Sequence, residues 1–138
     1  MSYTAAVKVR FGDIDRAGIA YYPNLFHYFH IAFEEFFEEF VGIPYPRLLD
    51  EQRLGFPTVR VETDFLSPVK YGDTLRIGIT IPRMGRSSAE FLFSAARGSE
   101  TSPCIRSRQT VVAVDLGTLR PVPIPESLRR IFARCAGG

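Results

Sequence analysis

A run of aromatic residues at helical spacing limits what this chain can become more than anything else in it. Phe26, Phe29, Phe33, Phe36, Phe37 and Phe40 recur at intervals of one, three and four, which gathers their rings on one side of an α-helix. Glu34, Glu35, Glu38 and Glu39 are left to the other side. Pro23 stands near the first turn, where its missing N–H costs nothing, and Gly42 follows Val41 as a C-cap. The pattern predicts a helix from about Asn24 to Val41. It is too apolar for a surface helix of a small domain, so a sheet has to enclose it.

The strands for that sheet are legible on either side of the helix. "AAVKVRF" alternates as a first strand, with Val7, Val9 and Phe11 on one face and Lys8 and Arg10 on the other. Downstream, "TVRVETDFLSPV", "DTLRIGITIPRM", "SSAEFLFSAARG" and "CIRSRQTVVAVD" read as strands, divided by turns at "KYGD", "MGR" and "GSETSP". The stretch "GIPYPRLLDEQRLGFP" reads as a loop holding a short helical piece, and "PIPESLRRIFARC" as an amphipathic helix starting near Pro125. A strand, a buried helix and an antiparallel meander of four strands make an α+β pattern with about five strands. With 138 residues, 46% of them hydrophobic, there is material for one packed core and not two. A single domain over residues 1–138 is expected, without repeats or low-complexity segments.

Several function classes lose support at this level. The glutamates interrupt the one long apolar helix, and "MSYTAAVKVR" has no apolar block of the signal-peptide kind, so a cytoplasmic protein with no membrane partner is expected. Cys104 and Cys135 stand in unrelated contexts and predict reduced thiols. A net charge of +2 is too small to argue for nucleic acid. The arginines between Arg83 and Arg120 fit a solvated surface, with room for a smaller polyanion.

Two polar groups need a closer reading. Asp13 and Asp15 precede the helix, and acids there are usually turn or capping residues. His27 and His30, with Glu34 beyond, share a helix face at metal-ligand spacing. No third strong ligand accompanies them, so a histidine packed beside an aromatic face is the expectation, with no metal.

The order strand, "GDIDRAGIAYYPN", aromatic helix, "ETDFLSPVKYGDTL" and "MGRSSAEF" resembles the hot-dog-fold acyl-CoA thioesterases over nearly the whole chain, and most of all their 4-hydroxybenzoyl-CoA thioesterase branch. The D-x-D-x-A-G-x-x-Y/W-Y-P-N run is the specific mark; "PVKYGD" is shared by many hot-dog proteins. The resemblance implies a long central helix wrapped by an antiparallel sheet, dimers joined edge to edge, further assembly to tetramers, and active sites between subunits. It implies hydrolysis of an aromatic (benzoyl- or hydroxybenzoyl-type) or short acyl-CoA thioester, with coenzyme A as part of the substrate and no metal or redox cofactor. Action on acyl carrier protein thioesters, or acyl-CoA binding without catalysis, are the other readings.

The same resemblance assigns residues. Asp15 becomes the catalytic carboxylate, as nucleophile through a mixed anhydride or as general base on water, and the backbone N–H of Tyr22 the carbonyl polariser. That pairing has a physical basis, because the first N–H groups of a helix are unpaired and its dipole favours developing negative charge. Asp13 is expected to brace the loop, and Gly18 to lie at the substrate. Arg86, Ser87 and Ser88 match the nucleotide-binding stretch of coenzyme A; read alone, "RMGRSS" is equally an ordinary hairpin turn. Thr58 and Val59 are placed against pantetheine, and Tyr45 against the acyl group. The chain departs from the branch at Gly85, where relatives can carry another basic residue. It departs again at His30, where the branch has an acid that receives the phenol. His30 is left to bond a ring hydroxyl or carboxylate, or simply to pack.

Overall fold

A computed structural model describes residues 3–137. The strands are β1 (Tyr3–Lys8), β2 (Leu54–Gly55), β3 (Thr58–Phe65), β4 (Thr74–Met84), β5 (Ser88–Arg97), β6 (Ile105–Val112) and β7 (Val114–Asp115). Five of them form one antiparallel sheet in the order β1-β4-β5-β6-β3, and β2 pairs with β7 as a small separate ladder. The helices are α1 (Tyr22–Phe36), continued by a π-helical turn over Phe37–Val41, then α2 (Tyr45–Asp50) and α3 (Glu126–Ala133). Gly42 ends the long helix at φ +85°, a conformation that suits glycine, and its N–H reaches back to the Phe37 carbonyl at 2.8 Å.

Strand alternation builds the seat for α1. Leu75, Ile77, Ile79 and Ile81 of β4, with Ala89, Phe91, Phe93 and Ala95 of β5, all turn to one face and are buried. Phe29, Phe33, Phe36 and Phe37 meet them there, with ring centroids 5.2 Å apart for Phe29–Phe93 and 5.1 Å for Phe33–Phe91. Phe132 of α3 closes one end of the core, 6.0 Å from Phe37. Burying each such ring contributes about 1.5–3 kcal/mol, so the aromatic stripe alone commits the helix to the sheet. The architecture is α+β, a long helix wrapped by a five-stranded antiparallel sheet, as the sequence implied. No helix of the described residues is long and apolar enough to cross a membrane.

Four expectations are corrected. The long helix begins at Tyr22, so Pro23 sits inside its first turn, where no N–H is required. Phe11 leaves the buried face on which Val7 and Val9 stay: it opens a tight turn over Phe11–Asp13 and is 73% exposed, its ring against Tyr71. The meander holds for β4, β5 and β6, whereas β3 lies at the far edge beside β6. "SPVKYGD" is therefore a crossover and not a reversal. It runs past the start of α1, where the Ala20 N–H donates to the Val69 carbonyl at 2.6 Å and Ile19 bridges to Lys70. Finally, the last strand breaks at Ala113, whose N–H turns to the Ser87 carbonyl at 2.7 Å while its carbonyl accepts from Val122 at 2.9 Å.

Candidate active site

The loop ahead of α1 is a small closed structure. The Asp15 N–H donates to the Ile19 carbonyl and the Gly18 N–H to the Asp15 carbonyl, both at 3.0 Å, with Gly18 at φ +81° allowing the reversal. One carboxylate oxygen of Asp15 accepts the Ala17 N–H at 2.8 Å; the side chain is otherwise exposed. The Tyr22 N–H is the first of α1, and no group of the described residues accepts it. Beside it lies a concavity of about 350 Å³ walled by Ile19, Ala20, Leu25, Phe65 and Leu66. An acceptor-bearing substrate here would meet an open N–H at a helix start and an apolar groove; the Asp15 carboxylate does not line that groove and stands on the loop that leads into it.

Asp13 is the brace of this loop. Its carboxylate accepts the Arg10 N–H at 3.0 Å and the Tyr28 hydroxyl at 2.5 Å, and its carbonyl accepts from the Tyr21 N–H and the Asn24 amide, both at 2.9 Å. The donated Tyr28 hydroxyl holds the Asp13 carboxyl below its ordinary value, against partial burial, which pushes it up. Burial and the same bond push Tyr28 upward, so it remains a donor. A carboxyl lowered by folding stabilises the fold above its unfolded pKa and loses that contribution as pH falls through the folded value. Tyr28→Phe is therefore expected to cost about 1–2 kcal/mol at neutral pH and less at a pH well below the ordinary aspartate value of about 3.9. Urea melts at the two pH values check this, and an equal cost at both would contradict it.

A second cavity, of about 330 Å³, opens along the other part of α1. His30, Tyr45 and Thr58 line it together with Phe29, Phe33 and Phe93. Burial keeps the Tyr45 hydroxyl protonated by raising its pKa, and that oxygen accepts the Phe56 N–H at 3.0 Å. His30 Nε2 lies 2.9 Å from Glu34 Oε2. Among the described residues no three His, Cys, Asp or Glu side chains gather as a metal site. Val59 is the extra residue where the β3–β6 register shifts between Thr58 and Arg60, and it is 61% exposed.

The turn carrying Arg86, Ser87 and Ser88 joins β4 to β5. It is fastened from behind: Arg129 of α3 donates to the Gly85 and Arg86 carbonyls at 2.8 and 3.0 Å, and the Ile124 N–H to the Arg86 carbonyl at 2.9 Å. Ala89 stands opposite Val111, which stands opposite Thr58, so this turn and the His30 cavity share one end of the sheet. Asp15 and Tyr22 are at the other end, where Phe26 of α1 packs on Phe65 of β3 at 6.1 Å. Thr58 and Phe65 are seven residues apart along β3, or about 23 Å of strand. One chain thus brings His30, Tyr45 and Thr58 together and keeps them from Asp15, Gly18 and Tyr22.

A larger concavity, about 490 Å³, is elsewhere, on the helix-free face of the sheet among Glu62, Asp64, Arg106 and Arg108. Of the residues named above it shares only Phe93 with the His30 cavity, and it reaches none of Asp15, Tyr22, His30, Tyr45, Thr58 or the Arg86–Ser88 turn. Sequence reasoning missed Gln109, which lines the His30 cavity, and the groups behind it, Ser107 and Thr63. The signal was the alternation of β6, which turns Ser107 and Gln109 to the same face as Ile105 and Val111.

Residues 9–132 match the family model of the Thioesterase-like superfamily. The chain belongs to that superfamily. By family it is a thioester hydrolase. It is 29% identical over 126 residues to a 1,4-dihydroxy-2-naphthoyl-CoA hydrolase of Synechococcus sp. (strain RCC307), covering 88% of this chain and 94% of the relative. It is 25% identical over 130 residues to the acyl-CoA thioesterase YbgC of Haemophilus influenzae (strain ATCC 51907 / DSM 11121 / KW20 / Rd), covering 94% and 93%. The solved structure of a gentisyl-coenzyme A thioesterase matches with a TM-score of 0.82 at 27% identity, covering 92% of this chain and 99% of that one.

Proposed function

We propose that this chain, one hot-dog domain over residues 1–138, hydrolyses an aromatic acyl-CoA thioester in the cytoplasm as a homodimer or as a homotetramer, a dimer of dimers. The observation that carries this reading is the division of the site into two halves at opposite ends of one open strand. β3 is a sheet edge whose Val59, Val61 and Phe65 are exposed, the kind of edge that invites pairing with another. Two copies joined antiparallel along β3 by a two-fold axis would lay the Phe65 end of one against the Thr58 end of the other. Asp15 and Tyr22 of one chain would then face the cavity and the Arg86–Ser88 turn of its partner.

The chemistry follows from these parts. The ring of the acyl group enters the cavity walled by Phe29, Phe33, Phe93, His30 and Tyr45, with pantetheine passing Thr58 and Val59 and the nucleotide phosphates at Arg86, Ser87 and Ser88. The thioester carbonyl oxygen accepts the Tyr22 N–H, which takes up negative charge as the carbonyl becomes tetrahedral. Asp15 either attacks the carbonyl carbon, expelling CoA thiolate and leaving a mixed anhydride for water to open, or draws the proton from a water that attacks the same carbon, after which the tetrahedral intermediate collapses to the acid and expels CoA thiolate. Neither route uses a metal or redox cofactor. The aromatic substrate class is supported by the cavity's aromatic walls and by relatives named for naphthoyl- and gentisyl-CoA.

Free-thiol release across benzoyl, hydroxybenzoyl, phenylacetyl and aliphatic CoA esters tests the proposal. The aromatic esters are expected to give the highest kcat/KM. Release only from carrier-protein thioesters, or tight acyl-CoA binding without turnover, would replace it.

A further inference from the structure

We propose that Gln109 is a specificity-determining residue that reads a polar substituent on the acyl ring, held in place by Ser107 and Thr63; this rests on the acyl-cavity reading above. The inward face of a strand beneath a buried helix is expected to be apolar, and β6 departs from this at two successive inward positions. Ser107 is only 2% exposed. Its hydroxyl accepts an N–H of the Gln109 amide at 3.1 Å and shares a hydrogen bond with the Thr63 hydroxyl at 2.8 Å. Thr63 stands directly opposite Ser107 on β3, so the two strands jointly fix the amide.

What the relay leaves over points to a ligand. One amide N–H is spent on Ser107, and the second N–H and the amide oxygen have no partner among the described residues. That amide lines the same cavity as His30, Tyr45, Phe29 and Phe93. The Tyr45 hydroxyl accepts the Phe56 N–H, and its own proton has no acceptor among the described residues. A donor, an acceptor and a phenolic O–H therefore stand in an aromatic-walled space. A bare hydrocarbon ring would cover them unpaired, at a cost, whereas a ring carrying a hydroxyl or carboxyl satisfies them. An apolar pair at positions 107 and 109 would have served packing equally well.

The test compares hydroxybenzoyl-CoA with benzoyl-CoA in kcat/KM, and free hydroxybenzoate with benzoate by calorimetry, for the full chain and its variants. The wild type is expected to favour the hydroxylated member of each pair. Gln109→Met, which keeps length and removes the amide, is expected to lower that preference about tenfold or more, with the loss falling mainly on the hydroxylated ligand. Ser107→Ala, acting through Gln109 as a positioning change, is expected to move the same ratio by less. Gln109→Leu serves if Gln109→Met does not fold. Equal losses on both members, or a wild type without preference in calorimetry, would overturn the inference. Absence of CoA-ester turnover would overturn the proposed function instead, since free-acid binding reads the cavity without hydrolysis.

Discussion

Asp15→Asn is expected to lower turnover by a factor of about a hundred or more while the fold survives. Asparagine retains a side-chain oxygen for the Ala17 N–H, so the turn closed by Asp15, Gly18 and Ile19 keeps its bonds. What disappears is the negative charge, and both candidate routes need it: a neutral amide neither attacks a carbonyl usefully nor takes a proton from water. Asp13→Asn is expected to rank the other way in each measurement. It weakens the acceptor of the Tyr28 hydroxyl and so costs stability, while leaving the reacting atoms alone. Steady-state kinetics beside thermal melts on the two variants separate the roles. If Asp13→Asn proves the slower enzyme, the roles of the two acids have to be exchanged.

That two acids one residue apart hold such different partners was only half visible in the sequence. Spacing put both before a helix, and a turn-forming acid was the ordinary reading of either. The partner that separates them is Tyr28, fifteen positions from Asp13, and no local pattern announces a bond at that separation. Helix α1 was legible almost to the residue because its evidence is local and redundant: six phenylalanines in phase, a proline at one end and a glycine at the other. Strand β3 was legible as a strand and misplaced as a neighbour, since alternation says which face a residue takes and nothing about which strand lies beside it. The crossover that carries the chain from β3 to β4 is held by Val69 and Lys70 against Ala20 and Ile19, contacts about fifty residues apart in sequence.

The candidate site shows the same division. Asp15, Gly18, Tyr22, Arg86, Ser87 and Ser88 lie in turns and at a helix start, where Gly, Pro and Ser stand out against apolar runs, and a family motif fixes several of them in order. Gln109 and Ser107 are buried in a strand whose composition looks unremarkable. Their meaning arises only when β3 supplies Thr63 on one side and α1 the cavity on the other. The separation of the half-sites could not be read from sequence either, because it depends on β3 running back along α1, from Phe65 near Tyr22 to Thr58 near His30.

That separation yields the sharpest expected result, recovery of activity from two inactive chains. Asp15→Asn removes the carboxylate half. Thr58→Trp places a large ring at the wall of the His30 cavity and is expected to block the acyl half; because Thr58 also stands on the strand proposed as the seam, light scattering has to show that the variant still dimerises. Each variant alone forms homodimers in which every site is spoiled. In a heterodimer with sites shared across β3, one site combines both lesions and the other combines the intact Asp15 of one chain with the intact cavity of its partner. Random pairing makes half the dimers heterodimers with one working site of two, so co-expression or co-refolding is expected to restore about a quarter of wild-type activity. Were each site built within a single chain, every site in the mixture would still carry a lesion, and activity would stay at the level of the separate variants. Light scattering on the same mixture supplies the control: recovery has to come from dimers or larger, and an active monomer at assay concentration would remove the shared site altogether.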